Sequence, residues 1–194
     1  MSEMKKIGIT GGIGVGKTYV SNILRKMNYP VYNSDVMAKE LIENDDNLIS
    51  LIKNNFGDKI YVDKKINKSL VSSLIFSNDD LLKKFNSIVH PYVFEDFNKW
   101  CENQQSAIIF KEAAILFESD AVKDLDCVIC VTANKEIRTK RIISRDNKTV
   151  DEIARIMSKQ MNQQKKETLS DYVITNDGDT SILLQIDKIL TDLK

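Results

Sequence analysis

The chain has 194 residues, 42% of them hydrophobic and 29% charged, enough to bury a core in one compact domain with a modest insertion. Its 28 basic and 28 acidic side chains cancel, which excludes a protein that holds nucleic acid or an anionic membrane by its overall field, so any affinity for phosphate has to be local. No apolar run approaches the ~20 residues that span a bilayer, and the start of the chain lacks the apolar stretch of a secretion signal. A cytoplasmic protein is expected, with neither nucleic acid nor membrane as partner.

In chain order, Lys6–Thr10 is a short apolar run stopped by glycines, and behind it Val20, Ile23, Leu24 and Met27 recur at helical spacing. This reads as strand, Gly-rich loop and amphipathic helix. The loop, Gly11-Gly-Ile-Gly-Val-Gly16-Lys17-Thr18, fits G-x-x-x-x-G-K-[ST] without a gap and stands between strand and helix as that motif requires. Its glycines allow a tight turn in which the N–H groups of Gly12, Ile13, Gly14, Val15, Gly16, Lys17 and Thr18 point at phosphate oxygens, before the positive end of the helix dipole. Lys17 then reaches the β and γ phosphates and the Thr18 hydroxyl ligates magnesium, so ATP and Mg2+ are the expected cofactors.

Tyr29–Tyr32 is a second strand candidate, and Asp35 follows it at the end where a parallel sheet presents ligand residues. Asp35 has two readings: a carboxylate that orients an acceptor hydroxyl, or the N-cap of a helix starting at Val36. From about 44 to 103 the alternation of strand and helix fails, which predicts a helical insertion. Its stripes, Leu70, Val71 and Leu74, then Val93, Phe94, Phe97 and Trp100, read as packing faces, and Pro91 marks a helix start after His90.

Ala107–Phe110, Asp126–Val131 and Tyr172–Thr175 complete about five strands, and their alternation with helices predicts a parallel α/β sheet. Cys127 and Cys130 have the spacing of a redox or zinc pair. On a strand, however, residues three apart face opposite ways, so they read as core thiols. Lys135, Arg138, Lys140, Arg141, Arg145 and Lys148 crowd one stretch, either as a solvated helix face or, for Arg141 and Arg145 four apart, as a clamp on a transferring phosphoryl group. Thr149–Glu152 fits a capping box, and Ile182, Leu183, Ile186, Ile189, Leu190 and Leu193 form the stripe of a closing helix.

A GTPase needs an Asp-x-x-Gly switch and an Asn-Lys-x-Asp reader. Neither follows the loop, and Asn67-Lys68 and Asn147-Lys148 lack the aspartate. The chain is short for a mechanical ATPase, which leaves a small-molecule kinase. Taken together, Ile9–Thr18 with its Thr-Gly-Gly-Ile-Gly stretch, Val31–Leu41, His90-Pro91, Ile115–Ser119, Arg141–Asp146, Gln160 and Asp171–Gly178 resemble the dephospho-CoA kinase family nearly end to end.

The resemblance implies a three-layer P-loop NTPase fold with a core of about 1–43 and 104–194, a CoA-binding helical insertion of about 44–103 and a lid of about 139–166. It implies phosphorylation of the ribose 3′-hydroxyl of dephospho-CoA, the last step of coenzyme A synthesis. Asp35 then stands as the catalytic carboxylate, Lys17, Arg141 and Arg145 act on the phosphates, His90 lies near the acceptor, and Asn176 to Gly178 form part of the adenine pocket. Two departures stand out: Asn33 where the family usually has aspartate, and Ala114 where it usually has proline. Glu112, two before that position, is an acid able to hold magnesium through water. A nucleoside or nucleotide kinase, and an ATP-binding module without turnover, are the alternatives.

Overall fold

Strand β1 (Lys5–Thr10) carries Ile7 and Ile9 on one face and Gly8 and Thr10 on the other. Its last four residues are buried, as expected of a strand covered on both sides in a parallel sheet. The computed structural model of the chain describes residues 4–75, 77–119 and 121–193. From β1 the chain runs through the Gly-rich loop to α1 (Lys17–Lys26) and β2 (Val31–Asn33). Helices α2 (Ser34–Asn44) and α3 (Asp46–Phe56), the short hairpin β3 (Tyr61–Val62) and β4 (Lys65–Ile66), α4 (Lys68–Leu70) and α5 (Asp79–Glu102) follow. Then come β5 (Ile108–Glu112), β6 (Cys127–Thr132), α6 (Lys135–Asp146), α7 (Val150–Ser158), α8 (Gln163–Leu169), β7 (Tyr172–Thr175) and α9 (Ile182–Asp192). The chain divides into two compact units, Met1–Asn33 with Gln104–Lys194, and Ser34–Asn103.

In the first unit the five strands lie in the order β2-β5-β1-β6-β7 with every pairing parallel, the sheet that alternating strands and helices predict. The chain leaves β1 in one direction for β5 and β2 and in the other for β6 and β7. The loop after β1 therefore opens at the point where a doubly wound sheet leaves a crevice for ligand. Val20 and Leu24 of α1 and Ile186, Ile189 and Leu190 of α9 pack with Ile7, Phe110, Ile129 and Ile174 in one core. Each such side chain contributes about 1.5–3 kcal/mol by leaving water. Leu183, expected in the α9 stripe, is instead 58% exposed, because it sits in the first helical turn at the mouth of a cavity.

Cys127 and Cys130 both lie on β6, and burial pushes each thiol up to about 11. They are neutral thiols at physiological pH. At pH 8 each holds about a hundredfold less thiolate than a free thiol with the ordinary value of 9.0. Labelling with a disulfide reagent should accordingly be slow in the folded protein and fast in urea. Because the folded values are raised, this contribution to stability is fully present below about pH 9 and is lost as pH rises toward 11. Rapid labelling of Cys130 in the folded protein would contradict the strand burial.

The second unit is helical. In it α5 packs against α2 and α3, and Leu48, Ile52, Ile60, Val71, Ile75, Phe85, Val89, Val93 and Phe97 are buried. The Tyr61 hydroxyl donates to the Ile42 carbonyl at 2.7 Å. Burial, with the nearby Glu43 charge, pushes the phenol up to about 12. Pro91 does not start a helix, as its position in the sequence suggested. Asn78 caps α5 by accepting the N–H groups of Asp80 and Leu81, and the helix runs through Pro91 to Glu102. The proline removes one backbone bond, to the carbonyl four residues back, and the buried Phe85, Val89, Val93 and Phe97 on either side outweigh that loss. His90 is consequently half-buried in mid-helix, and Phe94 of the expected stripe is exposed.

Candidate phosphate-binding site

Helix α1 begins at the loop with Gly16 as N-cap and no side chain capping it, whereas Asn134, Thr149, Asn162 and Ser181 cap α6, α7, α8 and α9 with their side chains. The first turn of α1 thus keeps its N–H dipoles for a ligand, which is how a helix end attracts phosphate. Gly16 is in the left-handed region at φ 94°, and a Cβ there would collide with the Asn176 amide nitrogen, so glycine is required twice over. Gly12 has a different reason: a Cβ would strike the Arg138 guanidinium and come within 3.1 Å of the Gln163 amide oxygen.

Around the loop, Lys17 Nζ donates to the Gly11 carbonyl at 2.9 Å and, more weakly, to that of Gly12 at 3.4 Å. The Thr18 hydroxyl donates to Glu112 Oε1 at 2.8 Å, and the Asn33 amide donates to Glu112 Oε2 at 2.9 Å. Glu112 ends β5, only 2% exposed, and Asn33 is its register partner on β2. A hydroxyl beside a buried carboxylate at a strand end fits Mg2+, which takes few protein oxygens and keeps its waters.

Asn176, 8% exposed, donates from Nδ2 to the Val15 carbonyl at 2.8 Å and accepts from Arg141 Nη2 at 3.2 Å; Arg141 Nη1 also reaches the Val15 carbonyl at 3.4 Å. Asn176 and Arg141 line a cavity of about 560 Å³ with Gly16, Tyr19, Gly178 and Ile182, large enough for a nucleoside. Arg145 is not brought to the loop. One helical turn beyond Arg141, it donates two bonds to the adjacent Asp146, at 2.7 and 2.8 Å, and that pairing holds the Asp146 carboxyl below its usual range. Asp35 is not an N-cap: α2 already begins at Ser34, so Asp35 lies in its first turn, where a negative charge favours the helix dipole. Asp35 and His90 both belong to the helical unit, Asp35 exposed and His90 half-buried.

A family model described as dephospho-CoA kinase matches residues 5–181. The chain belongs to the dephospho-CoA kinase family. The dephospho-CoA kinase of Bacteroides fragilis is 35% identical over 97% of this chain and 92% of its own. That of Chlorobium chlorochromatii is 36% identical over 95% and 91%. A Thermus thermophilus protein of known crystal structure, 26% identical, superposes with a TM-score of 0.87 over 99% of both chains. The dephospho-CoA kinase of Campylobacter jejuni, at 21% identity, shares the fold with a TM-score of 0.68 over 97% of this chain and 96% of its own.

For a dephospho-CoA kinase family member, Asn33 has a local account. An aspartate at that position would set a second carboxylate against Glu112, whereas the amide donates to it. At position 114 the backbone carbonyl, which a proline would equally present, accepts from the buried Lys166 at 2.5 Å, and nothing in the structure explains the alanine itself. Two side chains at the loop were not singled out as site residues from the sequence. Arg138, 8% exposed, donates from Nε to the Ile13 carbonyl at 3.0 Å, and burial lowers its pKa. Gln163 accepts from the Gly12 N–H at 2.8 Å. Arg138 left a signal, since it shares the buried face of α6 with Ile142 four residues on; Gln163 left none.

Proposed function

We propose that this chain transfers the γ-phosphoryl group of Mg-ATP to the ribose 3′-hydroxyl of dephospho-CoA, giving coenzyme A and ADP. The observation that carries the reading is the uncapped helix start behind a complete phosphate loop, with Thr18 and Glu112 on one side and a nucleoside-sized cavity on the other. Family membership supports the acceptor. The proposed action is cytoplasmic, and none of the helices among the described residues is long and apolar enough to cross a membrane.

In this reading the cavity holds adenosine against Asn176 and Gly178, and the loop's N–H groups cradle the phosphates. Lys17 leaves the Gly11 carbonyl to follow the γ-phosphoryl as its charge develops. Magnesium, when bound, neutralises the β and γ phosphates, and Thr18, oriented by Glu112, would hold it. Arg141 lies beside the same cavity and adds a second cation; Arg145, here bonded to Asp146, is proposed to join it when a lid of about 139–166 closes. Residues of the helical unit, Ser34–Asn103, are proposed to receive the acceptor, Asp35 and His90 among them.

Asp35 is proposed to accept a hydrogen bond from the 3′-hydroxyl and hold it in line for attack. In the chain it follows Asn33, whose amide donates to Glu112, by two residues. Asp35→Asn should lower turnover about a hundredfold with little change in ATP affinity. A variant turning over within threefold of the parent would remove Asp35 from the chemistry. The deciding assay offers dephospho-CoA, pantetheine phosphate, adenosine and AMP separately with Mg-ATP and follows ADP release with mass spectrometry of each product. Phosphate added only to dephospho-CoA is the expected result. Preference for another acceptor would assign a different kinase activity, and no acceptor at all would leave an ATP-binding module.

A further inference from the structure

The phosphate loop is tied to the segment around α8 by two glutamines about 150 positions away in sequence. The Gly12 N–H donates to Gln163 Oε1 at 2.8 Å, and the next N–H, that of Ile13, donates to Gln160 Oε1 at 2.9 Å. The same Gln163 side chain donates from Nε2 to the Val131 carbonyl and to Glu167 Oε1, each at 3.2 Å, so its amide is fixed on β6 and α8 as well as on the loop. Glu167 in turn accepts from the Thr132 hydroxyl at 2.5 Å. On the other side of Ile13, its carbonyl accepts from Arg138. Both peptide groups flanking Ile13 are thereby held by side chains, immediately before the residues that turn into α1.

We propose that Gln163, seconded by Gln160, is a positioning residue for phosphate binding: it fixes the entry of the loop so that the N–H groups from Gly14 to Thr18 face the phosphates before nucleotide arrives. The physical content is preorganisation. A loop already in its binding conformation does not lose that conformational freedom when it meets the ligand. Gly12 is itself buried, so without Gln163 its N–H has no partner until the loop rearranges. On this assignment the N–H groups of Gly12 and Ile13 shape the loop, and the later ones contact ligand. The inference rests on the reading of the loop as a nucleotide phosphate site.

The test compares the parent with Gln163→Met and Gln160→Met, each of similar length and without the amide. Calorimetry measures Mg-ATP and Mg-ADP binding, and NMR shift titration measures adenosine, which carries no phosphate. The expected result is a five- to tenfold weaker affinity for both nucleotides, roughly one hydrogen bond's worth, with adenosine unchanged. Nucleotide affinities equal to the parent's would overturn the proposal. So would an equal loss for adenosine, because that would make the glutamines supports of the whole unit. If Gln163→Met does not fold, Gln160→Met decides by the same split. A parent chain that binds no ATP would overturn the nucleotide-site reading itself, a result distinct from a parent that binds and variants that bind alike.

Discussion

Lys17→Ala is expected to lower phosphoryl transfer at saturating ATP by about 10³-fold, the scale of losing a charged donor aimed at developing charge in a site shielded from water. Lys17 sits at the start of α1, and its ammonium group bonds the Gly11 and Gly12 carbonyls at 2.9 and 3.4 Å. Those contacts lie within one loop and are worth about 1 kcal/mol each, so folding loses little when they go. In the proposed mechanism the same group faces, in the transition state, charge spread over the transferring phosphoryl oxygens, which would give it a larger effect on rate than on stability. The measurement is turnover by ADP release alongside a thermal melt. A variant within tenfold of the parent would exclude Lys17 from catalysis, and an unfolded one would show that its loop contacts matter more than argued.

Glu118→Ala should cost about 3–5 kcal/mol of stability, and Lys166→Met only about 1–2 kcal/mol. The two residues form an ion pair at 2.8 Å, but they are not equally placed: the Lys166 side chain is fully buried, whereas that of Glu118 is 22% exposed. Removing Glu118 strands a buried ammonium with the Ala114 carbonyl as its remaining partner in the pair's surroundings. It also leaves the Met161 N–H without the carboxylate that accepts it at 2.9 Å. Removing Lys166 instead leaves a carboxylate that water can reach, and methionine fills the hydrocarbon path of the lysine. Urea unfolding of both variants checks the asymmetry. For a chain of this size Glu118→Ala corresponds to a fall in melting temperature of roughly 8–15 °C. Equal losses for the two variants would mean the pair acts by packing alone.

Much of the first unit was legible because its determinants are local. The apolar run of β1, the glycines after it and the 3.6-residue spacing of Val20 and Leu24 specify strand, loop and helix without help from distant residues. The parallel order follows from alternating strands and helices, and β7 falls on the four residues expected, Tyr172–Thr175. Readings that relied on one residue's usual habit fared worse. Pro91 commonly opens a helix, yet here the flanking apolar face carries α5 through it. Asp35 is a favoured cap, yet α2 starts at Ser34, two residues before the Val36 start that a cap at Asp35 requires. The shared helix face of Arg141 and Arg145 left their partners open: Arg141 bonds Asn176 and Arg145 bonds the adjacent Asp146.

The sequence by itself determined that a phosphate loop ends the first strand and that the chain winds as a parallel α/β unit with a helical segment, since each follows from neighbours along the chain. Only the tertiary structure decided what surrounds that loop. Glu112 and Asn33, 79 residues apart, meet because β2 and β5 are register partners; Gln163 meets Gly12 across 151 residues, and Asn176 meets Val15 across 161. Hydrogen bonds of this kind have no period and no required spacing. They exist once sheet order and helix packing have brought their donors and acceptors within about 3 Å of each other.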